Sequence, residues 1–520
     1  MTSHYVLAAS DTATLHAPSI AYHALAPILI VLITACLGVL VEAFIPRKER
    51  FNLQLVVSLV GLLGALVAVG LLHNVELSTV SGAISVDGAG LFIQGSVLVL
   101  AFLSFLLMAE RGVDTGSAIV AQAALVVGSH RDRELNRTSR VQTEIFPLGL
   151  FAVAGMLIFP LANNLLLMFI ALEVLSLPLY LMAGMARRRR LLSQEAALKY
   201  FLLGAFASAF FLYGLALLYG YANSVDLPAI LTASQGSGKP DVLLYMGMGL
   251  LLVGLLFKAG VAPFHNWTPD VYQGSPTPVT AFMASCTKIA AFGAILRVLY
   301  VGFISTDWEW RPVIWAVAIT SMLVGAVFGL TQTDIKRILA YSSIAHAGFL
   351  LVGLTATSTD AISGTLFYLI TYGLATVAAF GITTLVRDAD GEAAHLSQWS
   401  GLARKSPLVA ITMTVLLMSM AGIPLTAGFI GKFVIFKAAW HEAGPLVVIA
   451  LICSAIAAFY YLRIVVMMFF AEPPENAPTV AIPSSATTIA ISFSAAATVV
   501  LGIVPQPLLD LAARSAFLHK

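Results

Sequence analysis

GLLFKAGVAPFHNWTPDVYQGSP, residues 254–276, sets a lysine, Lys258, inside an apolar run and a proline, Pro263, five residues later. A charge where water is absent and a ring that breaks a helix are both costly in a membrane span. The same grammar returns in SMAGIPLTAGFIGKFVIF, residues 419–436, where Pro424 and flanking glycines interrupt an apolar run beside Lys432. Helix breaks at membrane depth are tolerated only where they are buried in protein or line a wet cavity. Two interrupted segments in corresponding halves of a chain therefore predict an internal repeat built around an ion path.

Composition places both segments in a bilayer. The chain is 59% hydrophobic and 10% charged, with a mean hydropathy of +0.93, far from the roughly 25% charge of soluble domains. No stretch is long and polar enough for a soluble domain, so the lipid bilayer is the expected surrounding and no nucleic-acid partner is expected. The N-terminal MTSHYVLAASDTATLHAPSI has neither a basic nor an apolar signal region, and the first helix is expected to stay. Cys36, Cys286 and Cys453 stand singly in apolar runs, which reads as packing rather than iron-sulfur or zinc ligation. GSGKP at 236–240 lacks the first glycine and the Ser/Thr of a phosphate loop and reads as a loop.

A spanning helix needs about 20 apolar residues. Fourteen runs qualify, near 20–45, 52–73, 89–109, 144–161, 164–185, 193–221, 241–264, 276–303, 312–331, 334–356, 361–386, 406–438, 445–470 and 483–505. The stretch 116–129 is too short and reads as interfacial or loop. Odd-numbered loops hold seventeen basic residues, among them Arg187 to Arg190, Lys336 and Arg337, against five (Lys239, Arg311, Lys437, Arg514, Lys520) in even loops and tails. The positive-inside rule then puts the odd loops in the cytoplasm and both termini outside. The predicted fold is an all-α polytopic membrane protein with two inverted five-helix repeats, helices 4–8 and 9–13, of which helices 7 and 12 are discontinuous. The corresponding segments are 1–143 (three helices and a cytoplasmic loop, 110–143), 144–303, 304–470 and 471–520.

Of 28 basic residues, six remain in or near spans: Lys199, Lys258, Lys288, Arg297, Lys432 and Arg463. Each costs at least about 2.5–3.5 kcal/mol at the centre of a span. Lys288 is twelve residues into AFMASCTKIAAFGAILRV's span, about 18 Å from its entry, beyond comfortable snorkelling. Acidic partners are scarcer, with Glu173 in FIALEVLSLPLY at mid-span. A buried ammonium releases its proton more readily than one in water, and a nearby carboxylate restores the hold, so a row of lysines with water between them is a proton relay. His346, in YSSIAHAGFLLVG, reads equally as a relay member or as packing. Lys199 reads either as a relay member or as a snorkelling group paired with Glu195 one turn away. Arg297 and Arg463 stay charged at any useful pH and read as structural.

PFHNWTPDVYQGSPTPVTAFMASCTKIAAFG, residues 263–293, closely resembles the antiporter-like subunits of respiratory complex I, the bacterial NADH:quinone oxidoreductase. FIALEVLSLPLYLMAG, EAALKYFLLGAFASAFFLYG, TDIKRILAYSSIAHAGFLLVG and MAGIPLTAGFIGKF extend the resemblance over about 150–470. DVYQGSPTPV favours the subunit N branch, and the chain ends after the fourteenth run without the lateral helix typical of subunit L. The resemblance implies a proton-translocating membrane-arm subunit of the bacterial plasma membrane, driven by NADH-to-quinone electron transfer elsewhere. It implies no cofactor in this chain, with NADH, FMN, iron-sulfur clusters and quinone in the parent complex. Other membrane-arm subunits, a sister antiporter-like subunit among them, are the implied partners. It makes Glu173 the carboxylate of span five, Lys258 its partner on broken span seven, Lys288 the central lysine, Lys432 the lysine leading outward, and Lys199 a further basic position. Residues 110–143 are longer than that pattern. The competing readings are a cation/proton antiporter or membrane-bound hydrogenase subunit, and a non-pumping subunit whose charges are locked in static pairs.

Overall fold

A computed structural model describes residues 20–113, 119, 142–187, 189–236, 241–388, 391–474 and 478–518. The stretch 116–129, save Ile119, and most of GSGKP lie outside them. The principal apolar helices are α1 (Ala26–Phe44), α2 (Arg47–Leu71), α3 (Gly88–Met108), α4 (Ile145–Ile158), α5 (Leu165–Ala183), α6 (Arg190–Ala222) and α7 (Val242–Ala259). They continue with α8 (Thr277–Gly302), α9 (Asp307–Thr331), α10 (Ile335–Thr355), α11 (Thr359–Leu385), α12 (Pro407–Ala421), α13 (Ala427–Phe470) and α14 (Ser485–Ile503). Twelve helices among the described residues are long and apolar enough to cross a bilayer, and α4 and α12 are shorter apolar helices.

Helix starts follow side-chain capping. Asp87 accepts from the Gly90 N–H at 2.9 Å, Asn164 from Leu166 and Leu167, and Asp334 from Lys336 and Arg337, each satisfying donors that a helix leaves open at its N-terminus. Arg47 and its basic neighbours, expected in a loop, form the first turn of α2.

The two predicted breaks are real, and glycine makes both. α7 stops at Gly260, whose φ of +71° is left-handed, five residues before the expected end. A short helix, Trp267–Gly274, resumes after the Val261–Asn266 turn. α12 stops at Gly422 (φ +88°), followed by Pro424 and a left-handed Leu425. α13 begins at Ala427 and contains a second interruption at Ala443, just before Pro445, so that it is two helices joined end to end. Expected spans twelve and thirteen are thus α12 with the first arm of α13, then its second arm.

α8, α10 and α11 are the least apolar of the long helices and the most enclosed, α8 entirely so. Lipid solvates apolar side chains as well as protein does, so polar groups, not apolar ones, are sorted to the interior. The outer helices show Leu, Ile and Phe outward. Small sheets, not anticipated in an all-α chain, decorate the ends: Leu77–Thr79 pairs with Ile84–Val86, and Val386–Asp388 pairs with both Gly391–Glu392 and Thr479–Val480.

Candidate functional site

Lys258 lies in the last turn of α7, buried at 3% exposure. Its ammonium donates to Ser176 Oγ of α5 at 2.8 Å and Tyr200 OH of α6 at 3.2 Å. The rings of Tyr200 and Tyr180 stand 5.3 and 5.9 Å away, within cation–π range. Trp267, just past the break, stacks on Tyr200 at 4.6 Å and donates its indole N–H to the Phe257 carbonyl at 3.0 Å. The break thereby turns a tryptophan back to close both the helix end and the lysine's aromatic wall.

Glu173 is not bonded to Lys258. No ion pair within 4.0 Å joins them among the described residues, and the Glu173 Oε1 is buried without a hydrogen-bond partner. Ser176, three residues further along α5, takes the place the carboxylate was expected to fill.

Lys288 follows a π-helical turn in α8, Met283–Thr287, a distortion that recurs at functional sites. It donates to the Ser343 carbonyl of α10 at 2.7 Å and lies 5.9 Å from the ring of Tyr372. His346, one turn beyond Ser343, meets Tyr368 OH at 2.6 Å and Tyr461 OH at 3.1 Å and stacks on the same Tyr372 at 4.6 Å. Lys432 donates to the carbonyls of Met420 (2.9 Å) and Ala421 (3.0 Å) and to Ser454 Oγ (2.8 Å). It and His346 share the ring of Phe349, at 4.8 and 5.7 Å. A cavity of about 440 Å³ opens beside Lys432, lined by Gly422, Phe429, Phe433, Trp440 and Leu451.

An ammonium carries three N–H groups. Lys432 places three on protein acceptors, Lys258 two and Lys288 one. The central lysine therefore has the most need of water and the least protein holding its proton. Lys288, His346 and Lys432 are linked through the shared rings of Tyr372 and Phe349, and Lys258 is held separately against α5 and α6.

Lys199 is elsewhere. It pairs with Glu195 and Asp270 at 2.6 Å each, and Asp270 also binds Arg337 at 2.7 Å, a partly exposed cluster tying α6 and the Trp267–Gly274 helix to α10. Arg297 is fully buried against Asp87 at 2.7 Å, and Arg463 donates to the Leu330 carbonyl. Sequence reading missed Ser176, Ser454 and the tyrosines that line the row, because nothing local separates them from packing residues. It also placed Lys336 in a loop, whereas that side chain is buried at 5% exposure at the start of α10. The aspartate cap two residues earlier was the available signal. Among the described residues no group of three His, Cys, Asp or Glu side chains is arranged to hold a metal.

Broken membrane helices carrying enclosed lysines, packed round a polar interior, define an antiporter-type membrane subunit. Residues 162–457 match the family model described as NADH:quinone oxidoreductase/Mrp antiporter, TM. A relative from Parafrankia sp. (strain EAN1pec), NADH-quinone oxidoreductase subunit N, is 57% identical over 98% of both chains. A chain of respiratory complex I from Thermus thermophilus superposes with a TM-score of 0.76 at 35% identity, covering 94% of this chain and 99% of that one. A chain of the Mrp complex from Dietzia sp. DQ12-45-1b reaches 0.80 at 22% identity, covering 96% and 97%, a likeness of fold alone. The chain belongs to the family of NADH-quinone oxidoreductase subunit N, antiporter-like subunits of complex I.

Proposed function

We propose that this chain carries protons across the bacterial plasma membrane through Glu173, Lys258, Lys288, His346 and Lys432, driven by NADH-to-quinone electron transfer in other subunits of the complex. The observation that carries the reading is the graded satisfaction of three buried ammonium groups, with no carboxylate within bonding distance of any of them among the described residues. Static pairs would show buried lysines locked to acids, since a buried charge is otherwise strongly disfavoured. Neutral partners leave each lysine free to pass its proton on.

In this reading Glu173 faces the neighbouring membrane-arm subunit and sets the charge felt by Lys258 across Ser176. Lys288 exchanges with water, the Tyr372–His346 group connects it to Lys432, and Lys432 delivers outward. Lys199 acts outside the row, as an anchor for the short helix after the break. The fourteen-span count, the inverted repeats 4–8 and 9–13, the segment limits given above, the outward termini and a sister antiporter-like subunit as neighbour belong to the same proposal. No redox step is assigned to this chain.

The test is Lys258→Arg and Lys258→Met in the complete complex. Arginine keeps charge and approximate length but does not deprotonate, its pKa lying above about 12. Both variants are expected to assemble, yet to lose most proton uptake into inside-out vesicles. Full pumping by an assembled Lys258→Arg complex would leave Lys258 only an electrostatic role.

A further inference from the structure

We propose that Glu392, with Thr277 and the buried Lys336, forms the cytoplasmic entry through which protons reach Lys288, an assignment that rests on the relay proposed above. Glu392 ends the small hairpin between α11 and α12, its side chain 21% exposed. Its carboxylate accepts from Thr277 Oγ1, the first residue of α8, at 2.5 Å. Behind it, the Lys336 ammonium donates to the same Thr277 hydroxyl at 3.0 Å and to the Ser275 carbonyl at 2.8 Å, and lies 3.8 Å from Glu392. A solvent-touching carboxylate, a hydroxyl and an enclosed lysine thus stand in hydrogen-bonding order from outside to inside. Among the described residues the charged groups around the cluster are Arg387, opposite Glu392 in the hairpin register, Arg189, which donates to its main-chain carbonyl at 3.3 Å, and Asp334, which acts electrostatically on Lys336.

The path inward follows α10. Lys336 and Ser343 are seven residues apart, about 10.5 Å along a helix and on one face, and the Ser343 carbonyl is the acceptor of Lys288. The two ends of this stretch are built alike: at each, a lysine binds a serine carbonyl, Ser275 for Lys336 and Ser343 for Lys288. The Ser275 hydroxyl, at the mouth, is buried without a hydrogen-bond partner among the described residues, while the Ser343 hydroxyl lies within hydrogen-bonding reach of the Tyr272 and Tyr372 hydroxyls. Buried hydroxyls are completed by bound water where protein does not complete them. The Ser275 hydroxyl at the mouth and the Ser343, Tyr272 and Tyr372 hydroxyls beside the central lysine bracket a stretch that water can wire.

The experiment uses the whole complex in inside-out vesicles, with the cytoplasmic face in contact with the medium. Glu392→Gln keeps the shape and an acceptor for Thr277 but cannot take up a proton. It is expected to assemble, measured by NADH oxidation with a soluble electron acceptor, and to lose pumping by about tenfold or more. The remaining rate is expected to fall more steeply than that of the unmodified complex as the medium is made alkaline, and Glu392→Asp to restore most of it. Thr277→Val removes the hydroxyl link without changing charge and is expected to act in the same direction. Wild-type pumping and pH profile in an assembled Glu392→Gln complex, alongside a silent Lys258→Arg complex, would overturn the entry and leave the relay standing. Loss of assembly in Glu392→Gln with normal pumping in Thr277→Val would make the cluster a structural tether and equally overturn it. Full pumping by both Glu392→Gln and Lys258→Arg would instead remove the relay itself.

Discussion

Lys258 reaches the helix that carries Glu173 through Ser176, at 2.8 Å, and not through the carboxylate. The serine stands one turn from Glu173; its hydroxyl donates to the Leu172 carbonyl while its oxygen accepts from the ammonium. Hydrogen bonds to a charged group contribute about 1.5–3 kcal/mol. Ser176→Ala is expected to weaken the hold on the ammonium by that order and to reduce pumping per assembled complex severalfold. Ser176→Thr, which keeps a hydroxyl, is expected to retain most of it. Proton uptake normalised to the amount of complex in the membrane is the measurement, and equal pumping by Ser176→Ala would remove the hydroxyl from the path.

Asp87 and Arg297 form an ion pair with both side chains fully buried. Breaking one member leaves an uncompensated charge, at a cost of about 3–5 kcal/mol. Asp87→Asn is expected to lower the steady-state amount of complex and its thermal midpoint, while the complexes that do assemble pump normally. A specific pumping defect at normal abundance would move this pair from scaffold to path.

Gly428 packs where no side chain fits. A Cβ built there would stand 1.9 Å from the Ser419 carbonyl oxygen, across the interruption between α12 and α13. The obstacle is backbone, so the strain is expected at or above the usual overpacking range of about 1–3 kcal/mol. Gly428→Ala should therefore reduce complex abundance on a native gel. Unchanged abundance and thermal stability would mean that the two halves slide apart at little cost.

The odd-numbered loops carry the basic excess, and the positive-inside rule assigns them to the cytoplasm. A cysteine replacing the exposed Arg189 is expected to react with a membrane-impermeant thiol reagent only from the cytoplasmic face. Reaction from the outer face in intact cells would invert the topology and, with it, the direction assigned to the entry.

Glu110, just past α3, ties the end of that helix to the start of α14. Burial acts to raise its pKa, but the Thr487 hydroxyl and the N–H groups of Ser484 (2.8 Å) and Gly112 (2.7 Å) outweigh it, and the pKa is lowered from 4.5. A carboxyl depressed on folding stabilises the fold fully above its unfolded value and loses that contribution as pH falls through the lower folded value. Thermal stability is expected to drop below about pH 4.5 in the unmodified protein and to show a smaller acid-side drop in Glu110→Gln. Parallel profiles for the two would place the acid sensitivity elsewhere.

Much of this was readable in the chain because membrane spans and their interruptions are written in local composition. Gly260 and Pro263, like Gly422 and Pro424, announce their breaks by residue type alone, and the placement of Lys258, Lys288 and Lys432 inside apolar runs announced enclosure. What bonds those lysines was not readable. Ser176, Tyr200, Ser454 and Tyr461 come from distant segments, and a serine or tyrosine in a span looks the same whether it faces a lysine or a helix backbone. Lys336 was hidden for the opposite reason: basic residues next to a span boundary are ordinarily loop anchors, and only the fold reveals that the hairpin with Glu392 covers this one. The resemblance made Glu173 the partner of Lys258; the carboxylate is near enough to act on the ammonium electrostatically, but the groups that bind it directly are the hydroxyls of Ser176 and Tyr200.

α12 has 15 residues, about 22 Å of helix, against a hydrocarbon core of about 30 Å. The last turn of this short helix has no further turn to answer its carbonyls, and it is the Lys432 ammonium that binds those of Met420 and Ala421. A neutral amine has two N–H groups for the three oxygens that the ammonium now serves. In the proposed relay each departing proton would leave one of these three contacts unmade, and each arriving one would restore it. The cargo, while it is aboard, is also a fastener of the vehicle.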